Sequence, residues 1–194
     1  FEVCVVGETP VVVNWSHCGR HNVENALAAM AAAHHVGVLP AASAEALSLF
    51  RGVKRRLELL GIVAGVSVYD DFAHHPTAIA TTLQGLRARG GEGRLIALIE
   101  PRSNTMRMGE HRARLAHSTA GADKVYWFQP AGMEWSLQDV VDESEVTAEL
   151  ASDVDALVAA VAADARTGDQ VVIMSNGGFG GIHNRILAAL EAGA

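Results

Sequence analysis

Residues 68–77 of this 194-residue chain read VYDDFAHHPT, and within this stretch an apolar strand gives way to a helix. Val68 and Tyr69 belong to the apolar run, and Pro76 fits the first turn of a helix, where a missing N–H costs nothing. In open α/β sheets, ligands bind in the crevice outside the carboxyl ends of the strands. The two acids and two histidines at this junction are therefore predicted to face a substrate.

Three further polar loops follow apolar runs in the same way. They are Glu100–Arg107 after residues 96–99, Gln129–Pro130 after 125–128, and Ser175–Gly181 after 171–174. The carboxyl ends of parallel strands share one edge of a sheet. If these strands are parallel neighbours, all four loops meet at one rim.

The alternation of strands and helices predicts an α/β fold. This order implies a mostly parallel sheet with helices on both faces. Two strands, 57–63 and 66–69, are predicted to flank Ala64-Gly65, and residues 131–149 receive no assignment because they are acidic and irregular. Helices are predicted at residues 77–89, 109–118, 153–165 and 182–191.

The residues before this region have a different pattern. Two short strands are predicted within residues 1–13, and an Ala-rich helix follows at 22–35. Ser43 is predicted to cap a second short helix, after which a domain boundary is expected. The chain is therefore predicted to divide into domains at 1–52 and 53–194.

Composition excludes several classes of protein. An apolar content of 49% is ample for a core, and the apolar runs are far shorter than the roughly 20 residues that a membrane span needs. The net charge of −7 disfavours general attraction to nucleic acid, although the basic cluster in 51–56 suits phosphate. Cys4 and Cys18 lack the spacing of a disulfide framework, which favours a reducing, cytoplasmic location. The absence of an initiating Met predicts a fragment of a longer protein.

Two polar groups in the first half of the chain allow more than one interpretation. Asn22 and Asn25 lie three residues apart, on one face of the predicted helix start, and a side-chain amide pairs well with an adenine edge. Alternatively, Asn22 caps the helix and Asn25 occupies position N3. The cations within 51–56 also allow two interpretations. They form a solvated surface, or their planar guanidinium groups contact phosphate or ribose when a cleft closes.

The acids and histidines of residues 70–75 do not have the spacing of common zinc sites, so no metal site made by protein alone is predicted. An Asp here suits a ribose hydroxyl or a nucleotide-bound Mg²⁺, which takes only one or two carboxylates. Alternatively, the segment supplies the N-cap of the helix that starts near Pro76. The loop Arg102–Arg107, with two guanidinium groups and an amide, suits carboxylates, or is a surface loop paired with acids.

The glycine-rich run 177–181 is not a dinucleotide fingerprint, because the third glycine of that motif would fall at His183. It is typical of a backbone nest at a helix N-terminus, which can hold a carboxylate. Ser175 and Asn176 would add side-chain contacts.

Taken together, these segments resemble the Mur ligase family, ATP-dependent enzymes that build the peptidoglycan stem peptide. The resemblance is carried, in this order, by GRHNVEN at 19–25, GVKRRLE at 52–58 and DDFAHHP at 70–76. Within the family, EPRSNTM at 100–106 and MSNGGFGG at 174–181 are similar to the ligase of cell-wall recycling.

The resemblance implies that the full-length enzyme uses ATP and Mg²⁺ to join UDP-N-acetylmuramate to the murein tripeptide L-Ala-γ-D-Glu-meso-diaminopimelate through an acyl phosphate. It implies that 1–52 is the end of a central ATPase domain and that 53–194 is a Rossmann-like C-terminal domain carrying the amino substrate. The phosphate-binding motif G-x-x-x-x-G-K-[ST] is absent, so this piece is expected to need the N-terminal and central domains for activity. The alternatives are a UDP-N-acetylmuramate:L-alanine ligase, a non-catalytic Rossmann-like binding module and a dinucleotide oxidoreductase domain.

Site residues are implied by the same resemblance. Contacts with ATP are expected from His21, Asn22, Asn25, Arg56 and Asp71. Contacts with the peptide are expected from His74, His75, Arg102, Asn104, Arg107, Ser175 and Asn176. Phe72 stands where Tyr is common in the family, which removes a hydroxyl and keeps the aromatic face. No catalytic residue and no metal ligand is assigned, and neither nucleic acid nor a membrane is expected as a partner.

Overall fold

The chain divides into two compact units, Phe1–Val53 and the residues from Lys54 onward. A computed structural model of the protein describes residues 1–15, 17 and 19–193. Cys4 is an exposed free thiol, whereas Cys18 lies outside the described residues. Within these ranges, no helix has both the length and the apolar character needed to cross a membrane.

The first unit begins with an antiparallel strand pair. Strand β1 (Glu2–Val3) pairs with β2 (Val11–Val12), as the sequence predicted. Helix α1 (Arg20–His35) begins two residues earlier than predicted, with Gly19 at its N-cap. The alternative in which Asn22 caps this helix is therefore wrong.

The second helix of this unit also starts earlier than expected. Helix α2 (Pro40–Leu49) has proline at its first position, where the fixed φ angle favours helix and no N–H is needed. The prediction that Ser43 caps it is wrong, because Ser43 lies inside the helix and is buried. Val3, Met30 and Ala44 join the strands and both helices in a small apolar core.

The second unit is built on one six-stranded sheet. Its strands are β3 (Glu58–Val63), β4 (Val66–Asp71), β5 (Leu95–Ile99), β6 (Lys124–Phe128), β7 (Thr147–Ala151) and β8 (Gln170–Met174). They lie in the order β3-β4-β8-β5-β6-β7. Strand β3 is antiparallel to β4, and the other neighbouring pairs are parallel. The predicted α/β fold with a mostly parallel sheet is confirmed.

Helices cover both faces of the sheet. They are α3 (Pro76–Arg89), α4 (Asn104–Arg107), α5 (Arg112–Ser118), α6 (Gln138–Asp142), α7 (Val154–Asp164) and α8 (Ile182–Ala192). Leu83 of α3 and Leu115 of α5 belong to one buried apolar cluster. Leu157 of α7 and Ile186 of α8 belong to the other.

Two segments differ from the sequence prediction. The helix expected at 109–118 begins at Arg112, because the preceding residues form the short α4 and turns. The unassigned segment 131–149 contains α6 and the start of β7. Strand β7 is a short edge strand with a half-exposed face. Its residues have little strand propensity of their own, and pairing with β6 holds them in extended conformation.

Charged side chains join the loop before β5 to the loop before β8. Arg94 donates from Nη2 to Asp169 Oδ2 at 2.7 Å, and its backbone N–H donates to Oδ1 at 2.9 Å. The Arg166 N–H also donates to Asp169 Oδ2, at 2.9 Å. Burial alone would raise the pKa of Asp169, but these hydrogen bonds from Arg94 and Arg166 outweigh it, and the pKa lies below its ordinary value.

We expect Asp169→Asn to lower the free energy of unfolding by about 2 kcal/mol at neutral pH, because charge-assisted hydrogen bonds are lost. A lowered folded-state pKa means that this stabilisation is complete above the unfolded value of about 3.9 and declines as pH falls through the folded value. Urea unfolding at pH 7 and in acid checks this. The exposed Asp142→Asn serves as the control and should change stability by less than about 0.5 kcal/mol. An Asp169→Asn deficit that stays constant into acid would contradict the assignment.

Candidate functional site

The carboxyl ends of β4, β8, β5 and β6 lie side by side. In the parallel ladders, Met174 of β8 is opposite both Asp71 of β4 and Ile99 of β5, and Ile99 is opposite Trp127 of β6. The polar loops that follow these strands therefore share one rim of the sheet, as expected. This rim is the candidate site of the second unit.

A buried hydrogen bond joins two of these loops. The Ser175 hydroxyl donates to Glu100 Oε2 at 2.5 Å and accepts the Gly177 N–H at 2.9 Å. Ser175 is fully buried, and Glu100 is 7% exposed. Because one hydroxyl serves both loops, the Ser175–Gly178 turn is fixed relative to the end of β5.

The same turn is held from its other side by Arg55. Its Nη2 donates to the carbonyl oxygens of Ser175 at 2.7 Å and Gly177 at 2.9 Å. Its Nε donates to Asp70 Oδ2 at 3.0 Å, and His183 Nε2 lies 3.1 Å from the other oxygen of Asp70. Arg55 adopts a φ of 58°, which is uncommon for a residue with a Cβ, so its backbone is held in a sparsely populated region.

Asp71 faces the opposite side of β4 from Asp70. It is 3% exposed, and its carboxylate accepts the N–H groups of Leu57 and Ala73, both at 2.8 Å, and the Thr82 hydroxyl at 3.2 Å. Burial raises the pKa of Asp71 above its ordinary value, although these hydrogen bonds act against that change. Asp71 thus fixes the backbone next to Arg56.

The aromatic ring of Phe72 lies between basic side chains. The guanidinium carbons of Arg55 and Arg56 lie 5.2 and 5.7 Å from the ring centroid. Arg56 is exposed and makes no ion pair or hydrogen bond with the described residues. The His74 ring packs edge-on to Phe72, and its Nδ1 donates to the Phe72 carbonyl oxygen at 2.8 Å.

His75 is the N-cap of α3, which confirms the alternative in which the segment 70–75 supplies the cap of this helix. Its Nδ1 accepts the Thr77 N–H at 3.2 Å and is therefore unprotonated in this arrangement. Its ring centroid lies 4.4 Å from that of His111. Desolvation, together with the positive charge of His111, Arg114 and His74, lowers the pKa of His75.

The predicted carboxylate-binding loop is largely exposed. Arg102 lies against Gly177, where a Cβ would collide with the guanidinium, and it makes no hydrogen bond or ion pair within the described chain. Asn104 begins α4 and is exposed. Arg107 donates from Nη2 to the Gly132 carbonyl oxygen at 2.9 Å.

Asn176 carries an unsatisfied polar atom. Its Oδ1 is buried and has no hydrogen-bond partner among the described residues. Such atoms are rare in native proteins, because an unpaired buried acceptor costs about 1–3 kcal/mol. This unpaired acceptor lies in the Ser175–Gly178 turn, and the guanidinium of Arg102 lies against Gly177 of the same turn.

The remaining predicted residues belong to the first unit. His21, Asn22 and Asn25 occupy the first turns of α1, where His21 and Asn22 are half-buried and Asn25 is exposed. The spacing of Asn22 and Asn25 places them on one face of the helix. Within the described ranges, no group of three or more His, Cys, Asp or Glu side chains is arranged to hold a metal ion.

The expectation that Asp70 and Asp71 both face a substrate is wrong, because both are buried and held by hydrogen bonds within the second unit. Sequence reasoning also assigned no supporting role to four residues that shape the rim. They are Arg55, Asp70, Glu100 and His183. The alternation of side chains along a strand signals that Asp70 and Asp71 face different surroundings. No local pattern links His183 to Asp70, because 113 residues separate them in sequence.

Comparison with known proteins places this geometry in a family. The family described as Mur ligase, glutamate ligase domain, matches residues 55–177. A UDP-N-acetylmuramate–L-alanyl-γ-D-glutamyl-meso-2,6-diaminoheptandioate ligase of Escherichia coli K12 is 50% identical over 191 residues, covering 98% of this chain and 42% of its own length. A UDP-N-acetylmuramate–L-alanine ligase of Mycobacterium sp. JLS is 36% identical over 200 residues, covering 98% of this chain and 41% of its own.

A solved structure agrees with these relatives. The crystal structure of a murein peptide ligase from Psychrobacter arcticus 273-4 superposes with a TM-score of 0.73 at 49% sequence identity. The match covers 95% of this chain and 40% of that one, so the chain spans about two fifths of the length of its relatives. On the match to residues 55–177, the chain belongs to the Mur ligase family.

Proposed function

We propose that the protein is an ATP-dependent ligase that joins UDP-N-acetylmuramate to L-alanyl-γ-D-glutamyl-meso-2,6-diaminoheptandioate, and that it works in the cytoplasm in peptidoglycan recycling. A relative named for this reaction is 50% identical over 98% of the chain, whereas an L-alanine ligase that covers the same share is 36% identical. The observation that carries the proposal is the unpartnered Arg102 guanidinium beside the turn that holds the unsatisfied Asn176 Oδ1. The guanidinium suits a carboxylate, which the peptide supplies.

The proposal assigns different tasks to the two parts of the chain. Residues 1–52 are the end of the central ATPase domain, and residues 53–194 form the domain that binds the amino substrate. Relatives are more than twice as long as this chain, so the remaining domains supply the phosphate-binding loop and most Mg²⁺ ligands. ATP, when bound, supplies the phosphoryl group that activates the muramoyl carboxylate.

Several side chains fit a nucleotide. Arg56 is exposed and charged and lies over the Phe72 ring, and it makes no hydrogen bond or ion pair within the described chain, as suits a phosphate ligand. Asp71 is engaged by three donors, so in this proposal it supports Arg56 through the Leu57 backbone. His21, Asn22 and Asn25 are the proposed contacts for the adenine side of the nucleotide.

The rim orients the peptide amine and keeps water away from the activated carboxylate. Arg102 and Arg107 bind peptide carboxylates, and Asn176 is a further proposed contact beside them. His74, His75 and Asn104 complete the proposed peptide contacts. The expectation that Ser175 touches the peptide is wrong, because Ser175 is fully buried and its hydroxyl is bonded to Glu100 and Gly177. His75 accepts rather than donates through Nδ1 as long as it is neutral, which its lowered pKa favours at physiological pH.

Calorimetric titration tests substrate choice on this chain directly. We expect saturable heat from the tripeptide and none from L-alanine, because the guanidinium and amide groups of the rim need several carboxylates and N–H groups to engage. In the full-length enzyme, the tripeptide should likewise stimulate ATP-dependent phosphate release in the presence of UDP-N-acetylmuramate. Heat and turnover with L-alanine alone would overturn the proposal in favour of an L-alanine ligase.

We expect Arg102→Ala to raise the KM for the tripeptide at least tenfold in the full-length enzyme, since one charge-assisted hydrogen bond contributes about 1.5 kcal/mol or more. The KM for ATP should change less than about twofold. Arg166→Ala is the matched control, because Arg166 is exposed beside the amino end of β8, away from the rim. Steady-state kinetics give both constants, and an unchanged peptide KM would exclude Arg102 from peptide binding.

Arg55 is expected to act by positioning the Ser175–Gly178 turn. Arg55→Lys keeps a charge near Asp70 but cannot reproduce the fork that reaches the Ser175 and Gly177 carbonyl groups. Amide hydrogen exchange at Gly177 should accelerate about tenfold in this chain, matching the loss of about 1.4 kcal/mol of local stability. Arg166→Ala again serves as the control, and equal exchange in Arg55→Lys and wild type would show that Arg55 does not hold the turn.

A further inference from the structure

A recess of about 430 Å³ lies at the far end of the rim, beyond β6 and β7. Its walls come from the loop between β6 and α6 and from the residues that end and follow β7. The lining side chains include Met133, Glu134, Trp135, Ser136, Leu150 and Ser152. Gln129, from the polar loop predicted after residues 125–128, also lines the recess, but none of the contacts assigned above accounts for it.

The wall formed by Trp135 is fixed by hydrogen bonds and packing. The indole Nε1 donates to the Met106 carbonyl oxygen at 3.1 Å, and the Arg112 guanidinium carbon lies 5.6 Å from the ring centroid. The Gln129 side chain donates to the Trp135 carbonyl oxygen at 3.0 Å and accepts the Leu137 N–H at 2.8 Å. The recess is therefore preorganised, and Met106 connects it to the loop that carries Arg102.

The chemistry of the recess favours an aliphatic chain with a positively charged end. Met133, Trp135 and Leu150 supply apolar surface that is only partly buried. Glu134 is exposed and makes no hydrogen bond or ion pair with any residue that the structure describes, and the same holds for the Ser152 side chain. A free carboxylate beside an indole and hydroxyl groups is a natural partner for an ammonium group.

The position of the recess fits the length of the proposed substrate. Strand order places β8, β5 and β6 between β4 and the recess, which at about 4.8 Å per strand gives roughly 14–19 Å along the rim. Three extended residues span at most about 11 Å, and the γ-linkage and the third side chain lengthen the tripeptide further. A peptide whose amine lies near β4 would therefore bring its third side chain to the recess.

We propose that this recess is the subsite for the third residue of the peptide and that Glu134 binds the ammonium group at the end of its aliphatic side chain. The inference rests on the proposed function. Discrimination between peptides would then depend on the loop between β6 and α6, which lies outside the sequence motifs shared with the family. Trp135 and Leu150 hold the aliphatic part of the side chain, and Glu134 binds its terminal ammonium group.

The test compares two tripeptides that differ in one charge. Both begin with L-Ala-γ-D-Glu, and the third residue is lysine in one and norleucine in the other, so the chains are similar in length and only lysine carries an ammonium group. In the full-length wild-type enzyme, the KM for the norleucine peptide should exceed that for the lysine peptide about tenfold. In Glu134→Gln the ratio should fall to between one and two, because only the charge at residue 134 has changed.

Glu143→Gln is the matched control, because Glu143 is an exposed acid at the end of α6 that does not line the recess. Its KM ratio should equal that of the wild type. Equal KM values for both peptides in the wild type, or a ratio that survives Glu134→Gln, would overturn the subsite while leaving peptide ligation intact. A wild-type enzyme that ligates L-alanine but neither peptide would instead show that the proposed function itself is wrong.

Discussion

The pairing of β8 between β4 and β5 is the constraint on which the rest of the second unit depends. Strand β8 (Gln170–Met174) is the last strand in the chain, yet it lies inside the sheet with parallel ladders on both sides. Its insertion brings Asp70–His75, Glu100–Arg107 and Ser175–Gly181 to one rim, although up to about a hundred residues separate them in sequence. Without that pairing there would be two unconnected groups of polar loops.

The two adjacent aspartates of β4 have different partners on the two faces of the sheet. Because neighbouring side chains point to opposite faces, Asp70 meets Arg55 and His183, whereas Asp71 meets Thr82 of α3. Asp70 supports the turn that carries the unsatisfied amide oxygen. Asp71 supports the backbone beside Arg56. Two identical residues in sequence therefore serve the proposed peptide side and the proposed nucleotide side of the rim separately.

Sequence reasoning reached the α/β class, the parallel sheet and the shared rim because apolar runs and turn residues signal them locally. The helix predicted at 77–89 is found at Pro76–Arg89, since proline and the following periodicity mark its start. Strand β7 was missed because a short edge strand that contains two alanines and a glutamate carries little propensity of its own. The site loops were predicted, but their supports were not: the contact between His183 and Asp70 exists only once β8 has been placed.

The hydrogen bond between Glu100 and Ser175 makes the loop after β5 and the loop after β8 depend on each other. Replacing Ser175 alone with an apolar residue would leave the buried Glu100 carboxylate without this hydrogen-bond donor. Replacing Glu100 alone would remove the acceptor of the Ser175 hydroxyl, which also binds the Gly177 N–H. Grafting one of these loops from a ligase of different specificity would therefore produce a mismatched pair. Exchanging specificity between such enzymes therefore requires that the loop after β5 and the loop after β8 be transplanted together.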